Sequence, residues 1–277
     1  MSVDDRPSAI QVNNLVTHYG GRKILNNVSL DVKQGEIMVI MGGSGSGKST
    51  LLRYLLGLSK PTSGTIQLLG KDITKMSANQ LHHMKKNIGV SFQGGALFGS
   101  MTVAENIQLP LNEHTNLDQH TMRIMCQMKL EVVNLAGFED LMPSQLSGGM
   151  VKRAALARAI ILDPRLLFFD EPSAGLDPVV SAELDELILR LRDAMNMSIV
   201  VVTHELESAF KIADRITILD RGEILMCGSV DEVRNSENKR IYNLLHRQPR
   251  RDGVDVEEYL QRLTGKNLSM QTHNTSK

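Results

Sequence analysis

The amino-acid sequence predicts an α/β fold with a mixed sheet at its core, an antiparallel β subdomain and an inserted α-helical subdomain. Short runs without a polar residue are typical of strands that are buried on both faces. Three such runs occur, at residues 37–41, 166–169 and 199–202. Val28, Leu30 and Val32 alternate with polar neighbours, which favours an antiparallel sheet ahead of the first run. From residue 102 to about 165 the spacing of apolar residues is helical.

These patterns also predict the domain organisation. Residues 8–230 are expected to form one domain, with the helical subdomain at about 94–165. A C-terminal helical extension is expected at 231–266, because apolar residues recur there at helical spacing. The last residues, 267–277, are polar and are expected to be a disordered tail. We expect the extension to contact a partner or a second copy of the chain, the alternative being a self-docked or loose tail.

Composition excludes several classes of function. The 277 residues contain 31 Lys and Arg and 31 Asp and Glu, so no basic field points to a nucleic-acid partner. The two cysteines, Cys126 and Cys227, lie far apart, which argues against a disulfide framework and a cysteine-ligated zinc site. No run approaches the roughly 20 apolar residues that cross a bilayer, and the first residues lack an apolar signal core. We therefore expect a cytoplasmic protein that could serve a membrane only from outside the bilayer.

A glycine-rich loop follows the first buried run and leads into a helix-forming segment. Its pattern is a glycine, four residues and then Gly-Lys-Ser, as in the phosphate-binding loop of P-loop nucleotidases. The loop consists of Gly42, Gly43, Ser44, Gly45, Ser46, Gly47, Lys48, Ser49 and Thr50. Backbone N–H groups and Lys48 can hold phosphates, and the Ser49 hydroxyl can bind Mg²⁺. The loop predicts a nucleoside triphosphate with Mg²⁺, although by itself it leaves kinases, GTPases, motors and transport ATPases open.

Two residues near predicted strand ends are candidate ligand contacts. Tyr19 lies at a strand end ahead of the loop, where its ring could stack on a purine, although a Tyr beside a turn is often only packed. Gln93 follows the apolar strand at 88–92 and could contact Mg²⁺ or water, because ligands gather at the carboxyl ends of strands in open α/β sheets. A Gln in this position is by itself usually a loop residue.

A second candidate anion site opens a later helix. Ser147 is a plausible N-cap, and Gly148 and Gly149 follow it at the start of the helix. Free N–H groups at such a helix start attract anions. The sequence therefore contains two phosphate cradles.

Acidic and polar residues follow two of the buried runs. Asp170 and Glu171 come directly after the run at 166–169, where Asp170 could hold hydrated Mg²⁺ and Glu171 could deprotonate a water. His204 follows the run at 199–202 and could contact a γ-phosphate, although a lone histidine is more often satisfied by a local hydrogen bond. The other histidines show no metal-ligand spacing.

Two further patterns predict local structure. Met122, Met125 and Met128 recur at every third position of a predicted helix and are expected to be core residues, with a docking surface as the alternative. Asp220-Arg221-Gly222 lies between two apolar runs, which predicts a hairpin.

Taken together and in this order, these motifs resemble the nucleotide-binding domain of ABC transporters, over roughly residues 10–230. The resemblance implies a P-loop ABC-type fold and ATP hydrolysis. It also implies a head-to-tail homodimer in which Ser147 and Gly149 of one copy close over ATP held by the other. In that family Tyr19 would stack on adenine and Gln93 would sense Mg²⁺ and the permease. Asp170 would support the metal, Glu171 would be the general base, and His204 would contact the γ-phosphate.

Two positions depart from the usual motifs of the family. Met150 ends the signature in place of the usual Gln, so a polar contact through that side chain is absent. Gly43 replaces the commoner Pro of the P-loop. Since the cradle uses Ser147 and backbone N–H groups, we expect activity to survive both changes.

Several segments are similar to the ATPases of MCE-associated lipid transporters. They are residues 94–107 with Pro110-Leu111, Glu113-His114-Thr115, Leu141-Met142-Pro143-Ser144 and the signature that ends in Met150. The apolar Ala96-Leu97-Phe98 is a poor choice for a solvated loop and is expected to pack on a partner such as a permease helix. The resemblance implies a permease in the bacterial inner membrane, an MCE-domain protein, a small STAS-domain protein, and phospholipid moved between inner and outer membranes. The alternatives are an importer or exporter of small polar solutes and a soluble ABC ATPase.

Overall fold

The computed structural model describes residues 6–248. Within these residues the chain forms ten strands: β1 Ser8–Tyr19, β2 Arg22–Lys33, β3 Ile37–Met41, β4 Ser63–Leu68, β5 Lys71–Asp72, β6 Ile88–Ser91, β7 Leu166–Asp170, β8 Ser198–Thr203, β9 Arg215–Asp220 and β10 Glu223–Ser229. The α-helices of this part of the chain are α1 Lys48–Leu55, α2 Ala78–Lys85, α3 Val103–His114, α4 Gln119–Val132, α5 Gly148–Ala159, α6 Pro178–Met195, α7 Leu206–Ile212, α8 Val230–Arg234 and α9 Lys239–Leu245.

Six strands form the central sheet, in the order β10-β9-β3-β8-β7-β6. The strands from β9 to β6 are mutually parallel, and only β10 runs antiparallel, on β9. All residues of β3 and β8 are buried, as expected for parallel strands that are covered on both faces. The predicted mixed α/β core is confirmed.

The register of this sheet places three chain segments side by side. Met41 at the end of β3 pairs with Thr203 at the end of β8. Asp170 at the end of β7 pairs with Val202 of β8. The loop after β3, Glu171 after β7 and His204 after β8 therefore leave the sheet at the same carboxyl edge, where ligands bind in open α/β folds.

Four strands form the second, antiparallel sheet, in the order β2-β1-β4-β5. Buried residues of β1 and β2 join those of α1 and the central sheet in one apolar core, which includes Leu15, Val28, Leu51 and Phe168. The predicted antiparallel subdomain is confirmed. Its β1–β2 turn, Gly20-Gly21, places Tyr19 at the exposed end of β1.

Helices α3, α4 and α5 form the predicted helical segment. Thr102 begins α3 with a capping box in which Glu105 participates, and Asp118 caps α4. Such side-chain caps satisfy N–H groups that lack a partner at helix starts.

The prediction that the three methionines of α4 are core residues is wrong for Met128. Met122 is buried, whereas Met128 is 57% exposed. Because each helical residue turns by roughly 100°, a spacing of three drifts around the helix, and Met128 lies roughly 120° from Met122. The buried face instead uses a spacing of four, through Cys126 and Leu130.

The predicted hairpin at residues 220–222 is confirmed. Arg221 and Gly222 form a two-residue turn between β9 and β10, and both have positive φ, 50° and 81°. Two-residue turns of this kind match the twist of the flanking strands. Gly222 is required, because a Cβ there would lie 2.1 Å from the carbonyl oxygen of Ile24.

The chain divides into two units between Ser236 and Glu237. The second unit contains α9, which Asn238 caps and in which the rings of Tyr242 and His246 stack at 3.9 Å. The rest of the predicted extension, and the predicted tail at 267–277, lie outside the described residues. Among the helices of residues 6–248, none combines the length and apolarity needed to span a bilayer.

Candidate active site

The glycine-rich loop after β3 packs so closely that two of its glycines cannot be replaced without movement. A Cβ on Gly42 would lie 2.2 Å from the carbonyl oxygen of Leu219 and 2.6 Å from Ser46 Oγ. Gly47 has φ 108°, and a Cβ there would lie 2.8 Å from the Leu25 side chain. The N–H of Gly222 donates to the Ser46 carbonyl at 2.9 Å, so the β9–β10 hairpin supports the loop.

The start of α1 is suited to an anion. Its N-cap is Gly47, which supplies no side-chain hydrogen bond, and its first turn has no acidic residue. Most other α-helices of the described chain start with a Ser, Thr, Asp or Asn cap, as α5 does with Ser147. The first N–H groups of α1 and the positive end of its dipole are therefore available to a phosphate.

Lys48 lies over the loop that it follows. Its ammonium donates to the carbonyl oxygens of Gly42 at 2.7 Å and Gly43 at 3.3 Å. Burial lowers the pKa of Lys48, and the negative charges of Glu171 and Asp170 oppose that shift. The Ser46 hydroxyl is also buried, and among the described residues it has no hydrogen-bond partner. The Lys48 ammonium therefore places a charged donor beside a glycine-rich loop that fits phosphate oxygens.

Asp170 ends β7 with its side chain half-buried near Lys48. Burial and the neighbouring Glu171 raise the pKa of Asp170, while Lys48 lowers it. A divalent cation would remove this cost by pairing with the carboxylate. Ser49, Gln93 and Asp170 offer only oxygen ligands of the kind that Mg²⁺ prefers. Within residues 6–248 no cluster of three or more His, Cys, Asp or Glu residues could hold a metal ion.

Glu171 is held by hydrogen bonds to the end of β8 and to the residue that follows this strand. Its backbone has φ 49°, in the left-handed region, and its N–H donates to the Val202 carbonyl at 2.8 Å. One carboxylate oxygen accepts the Thr203 hydroxyl at 3.0 Å and the His204 N–H at 3.3 Å. The other lies 2.9 Å from His204 Nδ1. A carboxylate fixed in this way at the sheet edge is suited to orienting a water.

The second predicted phosphate cradle lies at the start of α5, where Ser147 is the N-cap, as predicted. The Ser147 hydroxyl oxygen accepts the Met150 N–H at 3.3 Å. A Cβ on Gly149 would lie 2.8 Å from the Val180 side chain, so this glycine allows α5 to approach the start of α6. Gly148 has open space, its nearest neighbour being a Leu176 methyl at 3.9 Å.

The structure brings some of the predicted site residues together and leaves others apart. Lys48, Asp170, Glu171 and His204 form one group at the carboxyl edge of the central sheet. Three other predicted residues are exposed, namely Tyr19, Gln93 and Ser147. Within residues 6–248 no hydrogen bond joins their side chains to the P-loop at residues 42–50. Exposure suits residues that would contact a nucleotide or a second copy of the chain.

Two residues that contact Glu171 were not predicted as site residues from the sequence. Thr203 contacts the Glu171 carboxylate, and Lys152 donates to the Glu171 carbonyl at 3.1 Å. Thr203 lies at the end of a buried strand beside His204, which is a usable signal. Lys152 appears in the sequence only as one of several basic residues on a helix, and nothing in its spacing indicates the contact.

Sequence comparison identifies the family of related proteins. The family described as ABC transporter matches residues 25–174. The intermembrane phospholipid transport system ATP-binding protein MlaF of Haemophilus influenzae is 42% identical over 236 residues, which are 85% of this chain and 89% of that protein. The probable ribonucleotide transport ATP-binding protein mkl of Mycobacterium leprae is 40% identical over 86% of this chain and 69% of that protein.

A solved structure of an ATP-binding cassette is similar to this chain. The dimeric post-hydrolysis state of the ATP-binding cassette MJ0796, bound to ADP and Pi, is 30% identical with a TM-score of 0.74. The match covers 80% of this chain and 98% of that one.

Proposed function

The chain belongs to the ABC transporter family of ATP-hydrolysing subunits, and on that premise we propose that it powers an inner-membrane transporter that moves phospholipid between the inner and outer membranes of a bacterium. The observation that carries the cargo assignment is the 42% identity to MlaF over most of both chains. The geometry of the sheet edge supports the catalytic roles proposed below.

Binding of ATP is assigned to the P-loop and α1. The α1 N–H groups and Lys48 hold the phosphates, and Lys48 exchanges its contacts to the Gly42 and Gly43 carbonyls for phosphate oxygens. Tyr19, 85% exposed at the end of β1, stacks on the adenine. Ser49, Gln93 and Asp170 would hold Mg²⁺, which supplies charge neutralisation at the phosphates when bound.

Hydrolysis is assigned to Glu171 and His204. The Glu171 carboxylate lies among the Thr203 hydroxyl and the His204 N–H and ring, so its orientation is fixed before substrate arrives. From there it orients the attacking water and accepts its proton. His204, which is exposed, turns its ring toward the γ-phosphate.

The active unit is proposed to be a head-to-tail homodimer. In a single chain Ser147 and Gly148 are exposed, with no hydrogen bond to the P-loop among those described. The solved ATP-binding cassette cited above is dimeric. A second copy would place the Ser147 hydroxyl and the α5 N–H groups against the phosphates held by the first copy.

The docking surface for the permease is proposed at the loop after β6. Phe98 is 53% exposed, yet its backbone is fixed by Asn106, a fully buried residue whose side chain accepts the Phe98 N–H at 2.7 Å. Arg158 holds the preceding turn through the Gly95 and Ala96 carbonyls. An ordered apolar side chain in water is typical of a binding surface. The loop also borders a largely apolar cavity of about 420 Å³, which would receive apolar side chains of a permease helix.

Further partners follow from the MlaF-like assignment. We propose an MCE-domain protein and a small STAS-domain protein in the same complex, with the ATPase at the cytoplasmic face of the inner membrane. No nucleic-acid partner is proposed, since acidic and basic residues are equal in number.

Replacing Phe98 with Asp is expected to break the complex with the permease while leaving ATP binding intact. A carboxylate at this position would be desolvated against apolar permease side chains without a partner. The measurement is co-purification of the permease from detergent-solubilised membranes, together with ATP affinity of the purified chain. Met128→Asp is the matched control, because Met128 is equally exposed in the same subdomain. Equal recovery of permease with Phe98→Asp and with Met128→Asp would remove this surface from the proposal.

Deletion of the gene tests the cargo. We expect the outer membrane to become sensitive to detergent while uptake of defined nutrients stays normal, and a plasmid copy to restore the barrier. The names of the relatives differ in cargo, phospholipid for one and probable ribonucleotide for another. An intact barrier together with loss of growth on one solute would contradict the lipid assignment and favour a small-solute transporter. A normal barrier and normal uptake would favour a soluble ABC ATPase.

A further inference from the structure

Lys152 is a buried lysine on α5 whose charged group reaches the candidate base. The residue is only 9% exposed, and its ammonium donates to the backbone carbonyl of Glu171 at 3.1 Å. Burial lowers the pKa of Lys152, and the negative charge of Glu171 opposes that shift. A buried charge is costly unless it is paired or hydrogen-bonded. The hydrogen bond to the Glu171 carbonyl offsets that cost for the Lys152 ammonium.

The backbone of Glu171 needs external support. Its φ of 49° lies in the left-handed region, which residues with a Cβ rarely adopt and which clusters at functional sites. The N–H side is fixed by the Val202 carbonyl. On the other side the Glu171 carbonyl accepts Lys152, and it also accepts the Ala174 N–H at a longer 3.3 Å. Lys152 therefore donates the shorter of the two hydrogen bonds to the Glu171 carbonyl, and its donor is charged. This bond holds the peptide group that follows Glu171.

We propose that Lys152 is a positioning residue for ATP hydrolysis, which holds the Glu171 backbone so that its carboxylate faces the attacking water. The inference rests on the proposed role of Glu171 as the base. Lys152 donates to the main chain and not to the carboxylate, and so leaves both carboxylate oxygens to Thr203, His204 and the water.

The position of Lys152 on α5 gives this contact a second consequence. Ser147, at the start of the same helix, belongs to the cradle that serves the partner's nucleotide in the proposed dimer. Arg158, near its end, holds the turn that precedes Phe98. A shift of α5 on closure of the dimer or on movement of the permease would therefore act directly on the Glu171 backbone through Lys152.

The test replaces Lys152 with Met in the full-length chain, purified with its membrane complex. Met keeps an unbranched apolar stem and removes the donor. Since small misplacements of catalytic groups cost up to about 100-fold in rate, we expect kcat for ATP to fall about 10-fold or more while ATP affinity, measured by equilibrium binding, changes less than about two-fold. Lys152→Arg, which keeps a charged donor, is expected to recover most of kcat. If Lys152→Met does not fold, Lys152→Gln, which ends one atom short of the Nζ position, takes its place.

Lys211→Met is the matched control. Lys211, on α7, also donates to a backbone carbonyl, that of Ala182, at 3.1 Å, but its described hydrogen bond and ion pair involve Ala182 and Glu186 and not Glu171. We expect wild-type kcat. A Lys152→Met kcat within two-fold of wild type, an equal loss in Lys211→Met, or equal impairment of Lys152→Met and Lys152→Arg would each overturn the inference. Failure of the base assignment is recognised separately, because Glu171→Gln would then retain turnover whatever Lys152→Met does.

Discussion

Replacement of Glu171 by Gln is expected to lower ATP turnover by about 100- to 1000-fold and to leave ATP affinity nearly unchanged. Gln has the same shape as Glu and can still accept the Thr203 hydroxyl and the His204 N–H. It cannot accept a proton from water. In the proposed site ATP would be held by the P-loop and by Lys48, none of whose described hydrogen bonds involves the Glu171 side chain, so binding should survive the change.

The measurement is steady-state phosphate release by the purified complex, with ATP affinity from equilibrium binding. Glu207→Gln is the control, because Glu207 is an exposed glutamate at the start of α7, a few residues beyond His204. It should keep full turnover. Retention by Glu171→Gln of more than a tenth of wild-type turnover would mean that another group activates the water.

The sequence was sufficient for those parts of the site that local chemistry determines. The P-loop could be recognised from the spacing of its glycines and of Lys48. The structure gives a local reason for two of these glycines, which is close packing at Gly42 and a positive φ at Gly47. Asp170 and Glu171 could be placed at a sheet edge because an uninterrupted apolar run precedes them. The Ser147 cap and the Arg221-Gly222 hairpin follow from equally local rules.

Contacts between elements distant in sequence could not be predicted. The bond from Lys152 to the Glu171 carbonyl depends on how α5 packs beside the central sheet, where it contacts β6, and no local pattern encodes it. The left-handed backbone of Glu171 also depends on its neighbours, because a glutamate does not favour that region. For Met128 a regular local pattern gave a wrong prediction. The buried residues of α4 recur every four positions, whereas the methionines recur every three, so Met128 is exposed.

Mixed dimers are expected to show that each ATP site uses two chains. Lys48→Ala removes the charged donor of the P-loop, and Ser147→Arg fills the small cradle at the start of α5 with a long side chain. In a head-to-tail dimer, a Lys48→Ala chain paired with a Ser147→Arg chain has both defects in one site and leaves the other site intact. A doubly substituted chain paired with an unchanged chain has one defect in each site.

Two affinity tags allow each mixed dimer to be purified, and Glu171→Gln on every chain prevents loss of ATP by hydrolysis. We expect the dimer of the two single variants to retain ATP through gel filtration and the dimer that contains the doubly substituted chain to retain none, although both contain the same substitutions in total. Ser147→Ala, which removes the cap without adding bulk, costs about 1 kcal/mol of helix stability and controls for local unfolding of α5. Equal retention by the two mixed dimers would mean that Ser147 serves neither nucleotide. Retention only by the dimer that contains the doubly substituted chain would mean that Ser147 serves the nucleotide of its own chain, and either result would contradict the head-to-tail site.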